Sequence, residues 1–188
     1  DFMRGGDGDD VILDHEGSDT IYGDAGNDSI IATSAIDGEE LVRISRDIAR
    51  GGGSTLEVLN DLYAFDDDTD AQGDTIYGGL GDDAIIAGDD DVVTLGEGND
   101  TIGVGDWMQP GDEAVVVTDF DVTEDTLVYS HDGQGTPPNL SLVYTDLVDG
   151  DTYLYADGLQ VARIEGIGNR ISLSDVSIVE RSGAPLLS

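Results

Sequence analysis

The sequence predicts an all-β fold. A coiled array of short strands spans residues 1–103, a small helical insertion interrupts it at 32–68, and a C-terminal antiparallel β cap occupies 104–188. Three observations predict this. A nine-residue unit, G-G-x-G-x-D-x-U-x with U a large apolar residue, recurs in phase through the first half of the chain. The U position stays apolar in every copy. The last third of the chain consists of short apolar or alternating runs separated by turn residues.

Residues 5–13 (GGDGDDVIL) and 78–86 (GGLGDDAII) are complete copies. Residues 14–22 keep Gly17, Asp19 and Ile21; residues 23–31 keep Gly23, Gly26, Asp28 and Ile30. Residues 69–77 keep Asp74 and Ile76 but lose the leading glycines. Residues 87–94 are one residue short, with Asp91 and Val93 in the key places, and residues 95–103 keep Gly96, Gly98, Asp100 and Ile102. Each part of the unit has a physical role. Glycines let the backbone turn through positive φ, the aspartate supplies a hard oxygen ligand, and the apolar residue points into a core while its neighbours face out. One unit is thus a metal-binding turn followed by a short packed strand. A flexible Gly/Asp linker is the alternative. It gives no reason for Ile12, Ile21, Ile30, Ile76, Ile85, Val93 and Ile102 to stay in phase.

Asp and Glu number 42 against seven Arg and no Lys, for a formal net charge of −35. Self-repulsion of that size opposes compaction, so the array is expected to fold with cations and to loosen without them. Nucleic acid is excluded as a partner by the lack of clustered positive charge, and an anionic membrane is disfavoured for the same reason. No apolar run is long enough for a membrane span, and no amino-terminal segment reads as a signal peptide. The chain runs from Asp1 straight into a repeat, as a fragment of a longer protein would. Cysteine is absent, so no disulfide staples the fold. An ion that binds only the folded state can take that role, and calcium is abundant outside cells.

Within the insertion, Asp37 and Glu40 form a capping pair ahead of a stripe at Leu41, Ile44 and Ile48. Gly51, Gly52 and Gly53 end that helix. Ser54 and Glu57 cap a second one carrying Leu56, Leu59 and Tyr63. Arg43, Arg46 and Arg50 share a helical face, and neutralising the acidic array is their expected role. In the C-terminal region, strands are expected at 114–118, 126–129, 140–144, 152–155 and 159–164, with a last one around Val176, Ile178 and Val179. Asp157 and Gly158 form a hairpin turn. Trp107, Phe120 and tyrosines 129, 144, 153 and 155 are the expected core, and the region would cover the exposed strand edge at the end of the array.

The repeat array resembles the RTX calcium-binding nonapeptide repeats of haemolysin- and serralysin-type secreted proteins. The resemblance implies a parallel β-roll in which two nonapeptides make one turn. A calcium ion lies between stacked turns, bound by two Asp carboxylates and by carbonyls of positions one and three of one repeat and two and four of the next on that side. Carried onto this sequence, one ion uses Gly5, Asp7 and Asp10 with Asp24, Gly26 and Asp28. A second uses Gly78, Leu80 and Asp83 with Gly96, Gly98 and Asp100. If the insertion loops out of a continuous roll, a third uses Gly23, Ala25 and Asp28 with Gly79, Gly81 and Asp83. The opposite side pairs Asp19 with Asp74, and Asp74 with Asp91, making about five ions in all.

Two other acidic clusters read as structural. Asp66, Asp68 and Asp70 mimic the start of an EF-hand loop, but the required glycine is Ala71 and the required glutamate is Tyr77, so a solvated loop is expected. Asp119, Asp121, Glu124 and Asp125 surround Phe120, with the ring packed under the roll and the acids mostly solvated. No catalytic site is expected. His15 and His131 are isolated, there is no cysteine nucleophile and no G-x-S-x-G elbow, and the glycine-rich turns lack the Lys-Ser/Thr of a phosphate loop. The expected function is a calcium-folded module of a secreted bacterial protein, exported by a type I apparatus and supporting an upstream effector domain. The alternatives are a calcium-dependent adhesin or surface-layer component, or the non-catalytic end of a secreted protease, lipase or polysaccharide-modifying enzyme.

Overall fold

The structure, a computed structural model, describes residues 1–36, 68, 72–133 and 136–181. The strands are β1 (Phe2–Asp7), β2 (Val11–Asp14), β3 (Thr20–Ala25), β4 (Ser29–Ala32), β5 (Thr75–Leu80), β6 (Ala84–Ala87), β7 (Val92–Glu97), β8 (Thr101–Gly105), β9 (Val115–Val117), β10 (Thr126–His131), β11 (Leu140–Tyr144), β12 (Thr152–Ala156), β13 (Leu159–Ile164) and β14 (Val176–Glu180). One sheet has the order β1-β3-β5-β7-β9-β13-β12-β11 and the other β2-β4-β6-β8-β10-β14. Among the described residues there is no α-helix; a 3-10 turn at Leu173–Asp175 precedes β14. The helices expected at 32–68 lie outside the described residues, apart from the ends of that segment at 32–36 and Asp68.

Through β10 the chain alternates between the two sheets, so each turn of a parallel roll lays one strand on each. The step from turn to turn is 18 residues between Asp10 and Asp28. It falls to 17 between Asp83 and Asp100, because repeat 87–94 lacks one residue. Across the insertion it is 55, yet β3 pairs directly with β5, and β4 with β6. The roll is therefore continuous. Its pairing runs on beyond residue 103, with β7 beside β9 and β8 beside β10. The terminal region is antiparallel within β11–β13. It joins the roll through parallel pairs, β13 with β9 and β14 with β10.

Period-two alternation builds the core. Ile21, Ile30, Ile76, Ile85, Val93 and Ile102, all from the apolar repeat position, are essentially fully buried between the sheets. The residue after each apolar one on the first sheet faces outward, where parallel register stacks Tyr22 on Tyr77 at 4.7 Å. Trp107, Phe120 and Tyr129 are buried as expected. Tyr153 and Tyr155 are only half-buried, because alternation on β12 turns them away from the interior, and Tyr144, on the inward face of edge strand β11 with Leu140 and Leu142, is half-buried too. Leu154, Val161, Ala162 and Ile164 fill the core there instead. The far end is clasped by buried Arg181. Its guanidinium donates to Asp106 Oδ1 at 2.5 Å and to Ser130 Oγ, and it lies over the Trp107 ring.

Candidate metal centre

Each repeat folds as a glycine turn leading into a strand, and its sixth residue, aspartate, closes the turn from inside. Parallel stacking puts these aspartates in two columns. In the first, the backbone N–H of Asp10 donates to Asp28 Oδ1, that of Asp28 to Asp83 Oδ1, and that of Asp83 to Asp100 Oδ1, each at 2.8 Å. In the second, Asp19 N–H donates to Asp74 Oδ1 at 2.7 Å and Asp74 N–H to Asp91 Oδ1 at 2.8 Å. One carboxylate oxygen of each lower partner thus locks successive turns together.

The other oxygen behaves differently. Oδ2 of Asp10, Asp28, Asp83 and Asp100 is buried and has no hydrogen-bond partner. Repeated orphan anionic oxygens are costly, and four in register mark where a cation belongs. The position-one glycines leave the room. A Cβ on Gly5 would lie 2.8 Å from both Asp10 Oδ2 and the Gly23 carbonyl oxygen. One on Gly23 would collide with Asp28 Oδ2 and the Gly78 carbonyl, and one on Gly78 with Asp83 Oδ2 and the Leu95 carbonyl. A carboxylate oxygen and a carbonyl oxygen from adjacent turns therefore converge beside each of these glycines, a donor set of hard oxygens suited to calcium.

The remaining expected ligands lie on the same turns. The Asp24 carbonyl abuts Gly79, and the Gly26 carbonyl abuts Gly81, whose φ is 116°. Gly96 and Gly98 sit in the same way against Gly79 and Gly81. The Ala25 carbonyl accepts from Gly8 N–H and the Leu80 carbonyl from Gly26 N–H, each keeping a second lone pair. Asp7 stands at the end of β1, paired in register with Ala25.

Burial governs the electrostatics. It pushes the Asp83 carboxyl up to about 7 and Asp100 up to about 6, against backbone N–H donors that pull the other way, and it raises Asp28 as well. Asp91 is raised well above the ordinary range by the same cause. The ion-free turns thus favour protons, which a divalent cation would displace.

The second column brings in a residue that the motif does not mark. Asp14, Asp19 and Asp74 each offer a carboxylate oxygen, all within 4.8 Å of one another. Burial, followed by contact with Asp74, lifts Asp14 to about 7, and its Oδ2 is buried without a partner. Asp14 occupies position one, where complete repeats have glycine, so its carboxylate enters the space that glycine leaves open elsewhere. That substitution was the available signal. Asp91 differs from the first column, because its Oδ2 accepts from Gly88 N–H at 2.8 Å in the shortened repeat.

Three acids expected in solvent do structural work. Asp119, though exposed, caps the turn of repeat 95–103 by accepting from Leu95 and Gly96 N–H. Asp125 accepts from Asp100 and Asp121 N–H and extends the first column by one rung. Asp68 is 4% exposed and accepts from Thr33 Oγ1 and Ser34 Oγ. Asp66 and Asp70 lie outside the described residues.

Comparison with known proteins agrees with this geometry. The family model for the RTX calcium-binding nonapeptide repeat matches in four copies, over residues 1–34 and 68–102. No curated protein matches the chain. Among solved structures, the solution structure of the AlgE6R3 subunit from the Azotobacter vinelandii mannuronan C5-epimerase is similar at 19% identity, covering 97% of this chain and 82% of that one. Its TM-score is 0.29, too loose an overlay to support an argument. The stacked turns, the paired aspartate columns and the family match together identify residues 1–34 and 68–102 as RTX calcium-binding nonapeptide repeats, stacked as a parallel β-roll.

Proposed function

We propose that this chain is a calcium-folded module of a secreted bacterial protein, exported through a type I apparatus and supporting an effector domain upstream on the same polypeptide. The observation that carries the reading is the file of buried, unpartnered Oδ2 atoms on Asp10, Asp28, Asp83 and Asp100 in a chain of net charge −35. Without cations these carboxylates oppose stacking of the turns; with them, stacking and ion binding are one process. A low-calcium compartment would keep such a chain loose enough for export, and extracellular calcium would close it. About five ions fit the aspartate columns, three between Asp10, Asp28, Asp83 and Asp100 and two between Asp19, Asp74 and Asp91. Asp14 joins the Asp19–Asp74 set. In this reading the chain itself serves as a scaffold.

Calcium titration of the chelator-treated chain, followed by circular dichroism and hydrodynamic radius, tests the proposal. The expected result is gain of β signal together with contraction, at calcium concentrations up to about 10⁻³ M, the range of extracellular modules. A chain equally compact and equally β-rich after exhaustive chelation would overturn it.

A further inference from the structure

The first column leaves one ligand over. Three ions between four repeat turns account for Oδ2 of Asp10, Asp28 and Asp83, which converge with the Gly23, Gly78 and Leu95 carbonyls of the turns that follow them. Asp100 is 1% exposed, and its Oδ2 is buried and unpartnered like theirs, yet no repeat follows it. Its Oδ1 is held by Asp83 N–H from the turn before. Oδ2 is therefore the oxygen left for the turn that stacks next.

That turn is 119–125. Within the repeats, the N–H following each column aspartate donates to the carbonyl of the aspartate one turn back: Ser29 to Asp10, Ala84 to Asp28 and Thr101 to Asp83. Thr126 N–H donates to the Asp100 carbonyl at 2.8 Å in the same way. Asp125 thus stands at the aspartate position of a further turn, and its Oδ1 accepts from Asp100 N–H at 3.1 Å. Asp119 reaches the other end of the last repeat turn, where its carboxylate accepts from Leu95 and Gly96 N–H. Oxygens that accept one such bond keep a lone pair for a metal. Burial raises the Asp100 carboxyl, and the charges of Asp125 and Asp119 add to the rise. A buried anionic oxygen without a donor, beside two more carboxylates, is costly unless a proton or a cation joins it. Leu95 holds position one of this repeat, where the earlier turns have glycine, so carboxylates replace the glycine-side arrangement.

We propose that the turn at 119–125 closes the first column with one further calcium ion, held by Asp100 Oδ2 and the carboxylates of Asp125 and Asp119. The proposal rests on the calcium reading above and adds an ion that the repeat pattern does not mark. It fastens the terminal region to the last repeat, so seating of that region depends on calcium as stacking of the repeats does.

The test is crystallography of the wild-type chain grown in calcium and soaked with terbium, read by anomalous difference density. A peak between Asp100 and Asp125, in addition to peaks in the three earlier first-column sites, is the expected result. Peaks in those three sites with only water between Asp100 and Asp125 would overturn this inference and leave the calcium reading intact. No peak anywhere would overturn both. Native mass spectrometry gives an independent count. Asp125→Asn, which keeps an acceptor for Asp100 N–H, should lose one calcium relative to wild type. Asp121→Asn, which removes a neighbouring charge on the same turn, should keep the full count. An unchanged count for folded Asp125→Asn, or an equal loss in both variants, would overturn the ligand assignment; if Asp125→Asn does not fold, the wild-type density decides.

Discussion

The backbone N–H of Asp28 donates to Asp83 Oδ1 at 2.8 Å although 55 residues separate them. The same rung joins Asp10 to Asp28, which are 18 apart. Asp28 and Asp83 therefore each face two neighbouring turns, whereas Asp10 faces one described turn.

Position in the column should set the cost of losing a carboxylate. Replacing Asp28 or Asp83 by Ala is expected to remove two calcium ions, and replacing Asp10 by Ala one. The calcium midpoint should rise at least tenfold for the inner pair, in line with ~1.5–3 kcal/mol for each charged group that loses its partner. Ion counting with parallel calcium titrations checks this; equal losses at all three positions would contradict the shared-ligand arrangement.

Gly23 separates room from backbone freedom. It is not among the positive-φ glycines, so Gly23→Ala strains no dihedral, but its Cβ would strike Asp28 Oδ2 and the Gly78 carbonyl. Overpacking of this kind costs about 1–3 kcal/mol, and here it falls on the ligand oxygens. Gly6 is the contrast, with a φ of 113° and nothing within 4 Å of its Cβ position. Gly23→Ala should weaken calcium binding more than it lowers the stability of the chelated chain; Gly6→Ala should affect both similarly.

Acidity should act in opposite directions on the two states. Asp83 and Asp14 reach about 7 and Asp100 about 6, all above the unfolded carboxylate range. Their contribution to the ion-free fold is complete below about pH 4 and is lost as pH rises through 6 to 7. The chelated chain should therefore gain β structure between pH 8 and 5. Calcium affinity should fall over the same interval, because protons compete for the same oxygens. Far-ultraviolet circular dichroism across pH, with chelator and with saturating calcium, reads both trends.

Asp14→Asn isolates the second column. It keeps the size of the side chain and removes the third carboxylate beside Asp19 and Asp74. The weakest-binding phase of a calcium titration should shift while sheet content at saturation stays the same. A titration identical to wild type would mean that Asp14 takes no part in binding.

Arg181→Ala should loosen the far end of the roll. The side chain is 2% exposed and bridges Asp106, Ser130 and the Trp107 ring. Its loss leaves Asp106 without its cation at a cost of about 1–3 kcal/mol. The melting temperature of the calcium-loaded chain should drop, while calcium affinity at the first column changes little.

The roll was legible because its signal is periodic. The apolar residue of each repeat is buried, and the spacing of Asp10, Asp28, Asp83 and Asp100 predicts the column that forms. Strands β11 and β13 fall where alternation and the Asp157 and Gly158 turn place them. What stayed hidden depends on three-dimensional neighbours rather than on period. Asp14 reads as a lost glycine until stacking brings it against Asp74. Asp68 reads as one acid in a solvated run until Thr33 and Ser34 close over it. Asp119 and Asp125 follow no repeat, yet pairing of β9 and β10 with the roll turns them into caps for the turn at 95–100.

The hydroxyl of Thr33 meets the carboxylate of Asp68, so the chain leaves the roll and rejoins it at a single point. A junction closed in this way costs the roll only logarithmically in the number of residues it spans. The fold thus has a built-in graft position. A foreign peptide spliced between Ile36 and Asp68 should leave the strand register on either side untouched, and the same tolerance would let that stretch diversify while the calcium ladder stays under constraint.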